Sequence, residues 1–254
     1  MRETDRNDIA YWFPAVREAG APVPETCILK EPCMTSALLD GREPKGFDDL
    51  LRQIGAAARA LGLPAFLRTG LTSGKHSWER TAMLASDEPG VVRRHVAELV
   101  EHSALADIMG LDCSTWAVRR MIPVRPLFHA FAGRMPIVRE FRLRVDADEP
   151  AVRHVQPYWP VGAIREPSCA GWEDLLRSAS RVTSDEYETL RAIAVGAVEY
   201  LSGEWSVDLL QDRAGGWWLT DMAVAAQSFW FNPDRDLEGW RPKCVPQQLA
   251  VLAA

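Results

Sequence analysis

The 254-residue sequence lacks a long apolar segment. A transmembrane helix needs a run of roughly eighteen apolar residues, and no run approaches that length. The first twelve residues, MRETDRNDIAYW, are charged where a secretory signal would be apolar. We therefore expect a cytoplasmic protein that does not act in a membrane.

An excess of positive charge is also missing. The chain has 29 Lys and Arg against 35 Asp and Glu, a net charge of −6. This balance gives no support to a nucleic acid as partner, although a local basic cleft is compatible with it.

Paired cysteines are missing as well. The five cysteines are widely spaced and include no CxxC pair: Cys27, Cys33, Cys113, Cys169 and Cys244. An odd, scattered set is typical of reduced thiols in a cytosolic protein, and its spacing does not indicate a zinc site.

Helix and strand patterns alternate along the chain, which predicts an α+β protein of one large domain or two to three lobes. The pattern favours a short helix around residues 11–16, further helices at 47–61, 91–106, 172–181 and 184–202, and strands at 26–29, 65–69, 116–124, 137–145 and 152–158. The ten tryptophans are scattered, which suits core packing or cleft walls. The apolar end of the chain, PQQLAVLAA, predicts one or two closing helical turns.

Residues 203–228 predict a hairpin with one acid on each arm. Asp208 and Asp221 interrupt two apolar runs that flank turn residues 212–216. A carboxylate inside a buried strand is costly unless it is paired or bound to a cation, so these acids could face one another and hold Mg²⁺. The alternative is that both lie at strand ends and meet solvent.

A second informative stretch is LPAFLRTGLTSGKHSWERTAM, residues 63–83. It predicts a strand followed by a small-residue loop over 69–75, which could present backbone N–H groups and Lys75 to a phosphate. The GxxxxGK[ST] pattern of a P-loop is absent. An ordinary surface loop that contains Gly74 and Lys75 is the alternative reading.

The segment IVREFRLRV, residues 137–145, alternates apolar and charged residues. The alternation slips by one at Arg139 and Glu140, so we expect one of these charges to face a partly buried side.

The five histidines form no recognisable catalytic triad: His76, His95, His102, His129 and His154. His76 lies within the possible phosphate loop and could touch a ligand. His95 and His102 lie on a predicted helix and are expected to be solvated.

Five segments taken in order resemble the ATP-grasp superfamily, and in particular small bacterial and phage members related to the eukaryotic assembly chaperone of translation initiation factor two. They are YWFPAVREAGAPVPET, FLRTGLTSGKHSW, WAVRRMIPV, IVREFRLRV and WSVDLLQDRAGGWWLTDMA. The resemblance lies in their order and spacing across most of the chain.

The resemblance implies an ATP-grasp fold in which two α+β lobes with antiparallel sheets enclose the nucleotide. A small α/β pre-ATP-grasp lobe would span residues 1–62, a lobe with the phosphate loop and hinge 63–124, and a larger lobe with the metal-binding hairpin 125–254.

The resemblance also implies roles for individual residues. Arg68 would be the basic residue of the first nucleotide-binding strand, and Ser73, Gly74, Lys75 and His76 would lie over the phosphates. Arg119, Arg120, Met121 and Ile122 would form the hinge that meets adenine. Arg142 and Lys75 would be catalytic, with Arg142 facing the γ-phosphate or an acyl phosphate, and Asp208 and Asp221 would carry Mg²⁺.

The implied activity is that of an ATP-dependent carboxylate–amine ligase that acts through an acyl phosphate. Many family members end the last strand with an acid, one further residue and Asn, whereas this chain has Asp221, Met222 and Ala223. Gln227 or Asn232 could substitute only if the chain folds back. Two alternatives follow, namely an ATP-dependent protein-binding chaperone without turnover, and a protein that binds no nucleotide.

Overall fold

Two four-stranded antiparallel sheets organise the chain. A computed structural model describes residues 6–31, 35–105, 114–132 and 134–231. The helices are α1 (Ile9–Glu18), α2 (Thr35–Leu39), α3 (Phe47–Leu61), α4 (Pro89–Leu105), α5 (Trp172–Ala179) and α6 (Ser184–Ala197). The strands are β1 (Thr26–Lys30), β2 (Ala65–Thr69), β3 (Met83–Leu84), β4 (Thr115–Arg120), β5 (Phe128–Ala130), β6 (Met135–Ile137), β7 (Glu140–Asp146), β8 (Ala151–Pro157), β9 (Glu204–Gln211) and β10 (Trp217–Val224). This mixture confirms the predicted α+β class.

The first sheet has the strand order β1-β4-β2-β3. Because side chains alternate between the faces of a strand, Leu67 and Val118 point to one face and Arg68 and Arg119 to the other. The apolar face packs on α3 and α4 in a shared core. We call this sheet with α3 and α4 the first lobe.

The second sheet has the order β10-β9-β7-β8. Its apolar face carries Phe141 and Leu143 of β7 and Val207 and Leu209 of β9, which pack with α1 and α6 in a second core. The opposite face of β7 and β9 carries charged residues. We call this sheet with α1 and α6 the second lobe, and a small third core joins the β5–β6 hairpin to α5.

The first 62 residues are shared between the two lobes. Helix α1 contributes Trp12 and Val16 to the core of the second lobe. Strand β1 belongs to the first sheet, and α3 packs in the first core. Residues on both sides of the expected boundary at 62 therefore share a sheet and a core, while the three-domain division itself stays a prediction.

Element bounds agree best where the sequence pattern is local. The helix at 47–61 and the strand at 65–69 have the predicted ends, whereas the strand expected at 116–124 ends at Arg120 and the helix expected at 184–202 ends at Ala197. The strand expected at 137–145 is divided into β6 and β7. Arg139 leaves the sheet at this break, and its side chain donates to Glu186 Oε2 at 3.0 Å and Ala179 O at 2.9 Å.

One expectation about a histidine is wrong. His95 is buried rather than solvated, because α4 packs beside β3 and places the imidazole between two carbonyls. Its ring nitrogens lie 3.0 Å from Val91 O and 3.0 Å from Met83 O. The helical turns expected at the end of the chain lie outside the described residues.

We expect Leu190→Ala on α6 to lower the free energy of unfolding by about 2–5 kcal/mol, because it leaves a cavity in the second core. Leu190 is fully buried in that core, whereas Leu175 on α5 is 43% exposed. Leu175→Ala is therefore the matched control and should change stability by about 0.5 kcal/mol or less. Urea unfolding measures both, and equal effects of the two variants would contradict the packing described.

Candidate functional site

The charged faces of the two sheets meet and bring seven ionisable side chains together. Ion pairs between the lobes join Arg68 to Asp221 and Lys75 to Glu140. We call the set the interlobe cluster, and its members are Arg68, Lys75, Arg119, Glu140, Arg142, Asp208 and Asp221. Five of the seven were predicted as site residues for the roles given above. Arg119 was predicted only for its backbone, and Glu140 was not predicted.

Arg142 and Asp208 form the centre of the cluster. They are direct cross-strand neighbours on β7 and β9. Arg142 Nε donates to Asp208 Oδ1 at 2.7 Å and Nη2 donates to Oδ2 at 2.8 Å. Asp208 is almost fully buried, so this two-bond pairing offsets the cost of removing its carboxylate from water.

A β-bulge places Asp221 beside this pair. On β10, Leu219 faces Leu209 and Asp221 faces Asp208, so Thr220 is an extra residue. The bulge shifts the alternation, and Leu219 and Met222 both point into the core while Asp221 lies on the charged face. The two acids of the hairpin therefore face one another, as predicted.

Two buried arginines of the first lobe reach this hairpin. Arg68 Nη1 donates to Asp221 Oδ1 at 2.7 Å, and Arg119 Nη1 donates to Thr220 O. Among the described residues, Arg119 Nη2 has no hydrogen-bond partner. Burial, assisted by the neighbouring Arg68, lowers the pKa of Arg119 to about 9. These two cations favour an added anion at this point.

The loop between β2 and the 3-10 turn Lys75–Ser77 has a fixed shape. Gly74 has a φ of 57°, and a Cβ there would lie 3.0 Å from Leu99 Cδ2. Only glycine satisfies both conditions without strain. Within the described parts of the chain, the backbone N–H groups of Ser73, Gly74 and Lys75 donate no hydrogen bond, so they can receive an anionic ligand.

Lys75 projects from this loop onto the second lobe. Its Nζ lies 3.8 Å from Glu140 Oε1 and 3.8 Å from the centre of the Tyr158 ring. Burial opposes the charge of Lys75, but Glu140 and Tyr158 outweigh it and raise the pKa of the ammonium group. Lys75 therefore stays cationic.

Glu140 is the buried carboxylate that the sequence did not assign to the site. It is only 6% exposed, and burial raises its pKa to about 7, with Lys75 opposing and Asp208 adding to the rise. The available signal was the slip at Arg139 and Glu140, which predicted that one of them faces a partly buried side. The structure shows that Glu140 does so.

Solved structures superpose on this chain. Cdc123 from Schizosaccharomyces pombe superposes with a TM-score of 0.55 at 14% identity, covering 92% of this chain and 87% of Cdc123. The biotin carboxylase domain of Hydrogenobacter thermophilus 2-oxoglutarate carboxylase, solved with MgADP and bicarbonate, gives a TM-score of 0.51 at 12% identity. The VanG D-Ala:D-Ser ligase from Enterococcus faecalis gives 0.50 at 14% identity. The chain has the ATP-grasp fold.

The coverage differs between these ATP-grasp neighbours. The match to the carboxylase domain includes 87% of this chain but only 41% of the carboxylase chain. The match to the VanG ligase includes 86% of this chain but only 52% of the ligase. No protein-family model matches the sequence. No curated protein matches it either.

The predicted hinge, residues 119–122, lies partly inside and partly outside the first sheet, because β4 ends at Arg120. The backbone of Arg119 is paired on both sides, with Thr26 of β1 and Phe66 of β2. The Arg120 side chain is 57% exposed and pairs with Glu25 at 2.7 Å. Met121 and Ile122 lie beyond the sheet, where their backbone groups are outside the ladder.

His76 lies in the 3-10 turn Lys75–Ser77 and contacts the third core. Its imidazole is exposed and stacks on Phe131, with ring centres 4.4 Å apart. Loss of water on the stacked side of the ring lowers the pKa of His76, and the charge of Lys75 is the second cause. This stacking contact connects the 3-10 turn to Phe131, which packs against the third core.

The cluster suits an anionic ligand that brings its own metal ion. It contains four cations against three carboxylates, and Arg119 has a buried N–H to offer. In the described part of the chain, no group of three or more His, Cys, Asp or Glu side chains could hold a metal. Two facing carboxylates still fit Mg²⁺, which proteins commonly bind through one or two carboxylates plus substrate phosphates.

Gln227, one of the two residues that could replace the missing Asn, makes a hydrogen bond elsewhere. Asn7 Nδ2 donates to Gln227 Oε1, which directs Gln227 toward the N-terminal side of α1. Asn232 lies outside the described residues. Ala223 faces Ser206 across the hairpin, on the same face as Asp221.

No helix in the described ranges combines the length and apolar character needed to cross a lipid bilayer.

Glu140→Gln should change how stability depends on pH. The pKa of Glu140 is raised from 4.5 to about 7 in the folded protein, so the native state binds the extra proton between these values. The stabilisation from this proton is fully present below about pH 4.5 and is lost as the pH rises through about 7, a loss on the order of 3 kcal/mol. The variant should lack this loss.

Urea unfolding from pH 5 to pH 8 in magnesium-free buffer gives the free energy of unfolding of Glu140→Gln and of wild type. The quantity compared across pH is the difference between these two free energies. His76 and His154, whose pKa values burial lowers, slope the other way in both proteins and cancel in the difference. Glu173→Gln at the exposed start of α5 controls for the loss of one charge. A difference that stays flat with pH would contradict the assignment.

Proposed function

We propose that the protein binds Mg-ATP in the interlobe cluster and is a carboxylate–amine ligase that consumes this ATP. The observation that carries the proposal is the meeting of four cations and three carboxylates between the lobes, with one buried arginine N–H without a partner in the described residues. Phosphoryl transfer depends mainly on positioning and on charge stabilisation, so this arrangement suits it.

The residues divide the task between the two lobes. Ser73, Gly74 and Lys75 would receive the phosphates through backbone N–H groups and one ammonium charge. Arg68 and Arg119 would add positive charge from the charged face of the first sheet. Met121 and Ile122, beyond the end of β4, would offer backbone groups to the adenine edge, beside Arg119 and Arg120.

Arg142 would face the transferred group from the second lobe. Its Nε and Nη2 are fixed by Asp208, and its Nη1 donates to Phe229 O at 3.2 Å. That third contact is to an exposed segment and is the one that a phosphate oxygen could replace. Asp208 and Asp221 would hold Mg²⁺ together with phosphate oxygens, and the ion would neutralise charge on those phosphates when bound.

The reaction would proceed in two steps, phosphorylation of a carboxylate and then transfer of the acyl group to an amine. A substrate carboxylate oxygen attacks the γ-phosphorus, the bond to the β–γ bridging oxygen breaks, and ADP leaves. The amine then attacks the acyl carbon, the carbon–oxygen bond to phosphate breaks, and inorganic phosphate leaves and takes up the proton that the amine nitrogen loses. The cationic Lys75 and Arg142 would stabilise the charge on the transferred group in both steps.

A second function is favoured by a separate observation. The likeness to Cdc123 extends over 87% of that protein, whereas the two enzymes are matched over about half their length or less. Ala223 also lacks the oxygen that Asn would offer beside Asp221. An ATP-dependent protein-binding chaperone without ligase turnover is therefore the alternative use of the same site.

Calorimetric titration with ATP, with and without Mg²⁺, tests the site. We expect wild type to bind in a magnesium-dependent manner, and Lys75→Met to raise the Kd about 10-fold or more by removing a charge-assisted contact. Asp221→Asn should lose the effect of magnesium. Lys45→Met, in an exposed loop, is the matched control and should bind as wild type.

Absence of ATP binding by the wild type under both conditions would refute the nucleotide site. Equal affinities of Lys75→Met and Lys45→Met would refute the role of the loop lysine.

The two functions differ in turnover. For a ligase, mixtures of carboxylates and amines should stimulate ADP release, and Arg142→Lys should lower this rate about 10-fold or more, because a single ammonium group cannot reproduce the fork of a guanidinium. For a chaperone, ADP release should stay at its basal rate, and one stoichiometric protein should copurify with wild type but not with Asp221→Asn.

A further inference from the structure

We propose that Tyr158 is a positioning residue that holds Lys75 and Arg142 on either side of one anionic group. The nature of that group, an ATP phosphate, rests on the proposed function. The arrangement of the two cations around the ring does not.

The ring of Tyr158 contacts a cation from each lobe. Lys75 Nζ lies 3.8 Å from the ring centre, and Arg142 Cζ lies 4.8 Å from it. Both distances are within the range of a cation–π interaction. Lys75 reaches the ring from the loop of the first lobe, whereas Arg142 reaches it from β7 in the second sheet.

The position of Tyr158 is itself fixed by the second sheet. The residue directly follows β8, and its backbone N–H donates to Glu140 O at 2.9 Å. Its ring lies edge-on to Trp159, with ring centres 4.9 Å apart. Burial raises the pKa of the Tyr158 hydroxyl, which therefore stays neutral. The ring is thus a rigid, uncharged support.

Such a support is needed because the two cations repel one another. Glu140 and Asp208 offset part of this repulsion, but a carboxylate attracts an ammonium group without fixing its direction. A lysine side chain is flexible and loses conformational freedom when it is held. Contact with the aromatic face orders Lys75 before a ligand arrives, so less of the binding free energy is spent on ordering it.

Lysine-selective ¹³C labelling tests the contact without any nucleotide. The chain has four lysines, Lys30, Lys45, Lys75 and Lys243, so the Lys75 Cε–Hε signal can be assigned with Lys75→Arg. We expect an upfield ring-current shift in wild type and Tyr158→Phe. In Tyr158→Leu it should fall to the smaller shift that Trp159 still produces, because the Trp159 ring centre lies 5.1 Å from Lys75 Nζ. Tyr200→Leu, at a side chain that is 57% exposed, is the matched control. An unchanged Lys75 signal in Tyr158→Leu would overturn the proposal.

A second comparison remains decisive if Tyr158→Leu does not fold. Phenylalanine and pentafluorophenylalanine at position 158 have nearly the same shape, but fluorination removes the negative face of the ring. A purely structural role would not distinguish them. We expect about 5- to 10-fold weaker ATP binding with the fluorinated ring and no more than about a threefold change with Tyr158→Phe.

The outcomes separate this proposal from the proposed function. If wild type binds no ATP, the nucleotide function fails and the Lys75 signal alone decides the role of Tyr158. If wild type binds ATP and the fluorinated variant binds equally well, the nucleotide function stands and the positioning role of Tyr158 fails.

Discussion

The pairing of Arg142 with Asp208 is the interaction on which the site depends. It places a buried carboxylate and a guanidinium on neighbouring strands of the second sheet, where either charge alone would be strongly destabilising. Around this neutral pair, each lobe can add charge without a large net repulsion. Arg68 and Asp221 form a second ion pair, through one hydrogen bond between the lobes, and the Asp221 side chain is 38% exposed. Burial would raise the pKa of Asp221, but Arg68 outweighs it and keeps that pKa below its usual value.

The sequence predicted the parts of the fold that depend on local pattern. The ends of α3 and β2 follow from helical spacing, from Gly62 and from Pro64, all of which are near in the chain. The turn residues 212–216 predicted a hairpin with one acid on each arm. The turn register alone would pair Asp208 with Thr220, and the bulge, which the sequence did not reveal, brings Asp221 opposite Asp208. The ATP-grasp fold was predicted from the order of five motifs, and the structural neighbours confirm it.

The parts that the sequence did not reveal depend on contacts between distant segments. Arg119 was considered for its backbone, because nothing nearby in the chain shows that its side chain crosses to Thr220. Tyr158 was treated only as the end of a strand, since its two cations come from the loop of the first lobe and from β7. His95 was misjudged for the same reason, because the carbonyl of Met83 that it contacts belongs to another element.

The bulge at Thr220 determines how the hairpin tolerates a change in length. Thr220 is the extra residue, so its deletion would leave a regular ladder in which Leu219 still faces Leu209 and Asp221 still faces Asp208. Closing the bulge with Thr220 retained would instead pair Thr220 with Asp208, shift Asp221 by one position and turn its side chain toward the core. A one-residue gap at this point of a relative's last strand is therefore compatible with an acid opposite Asp208.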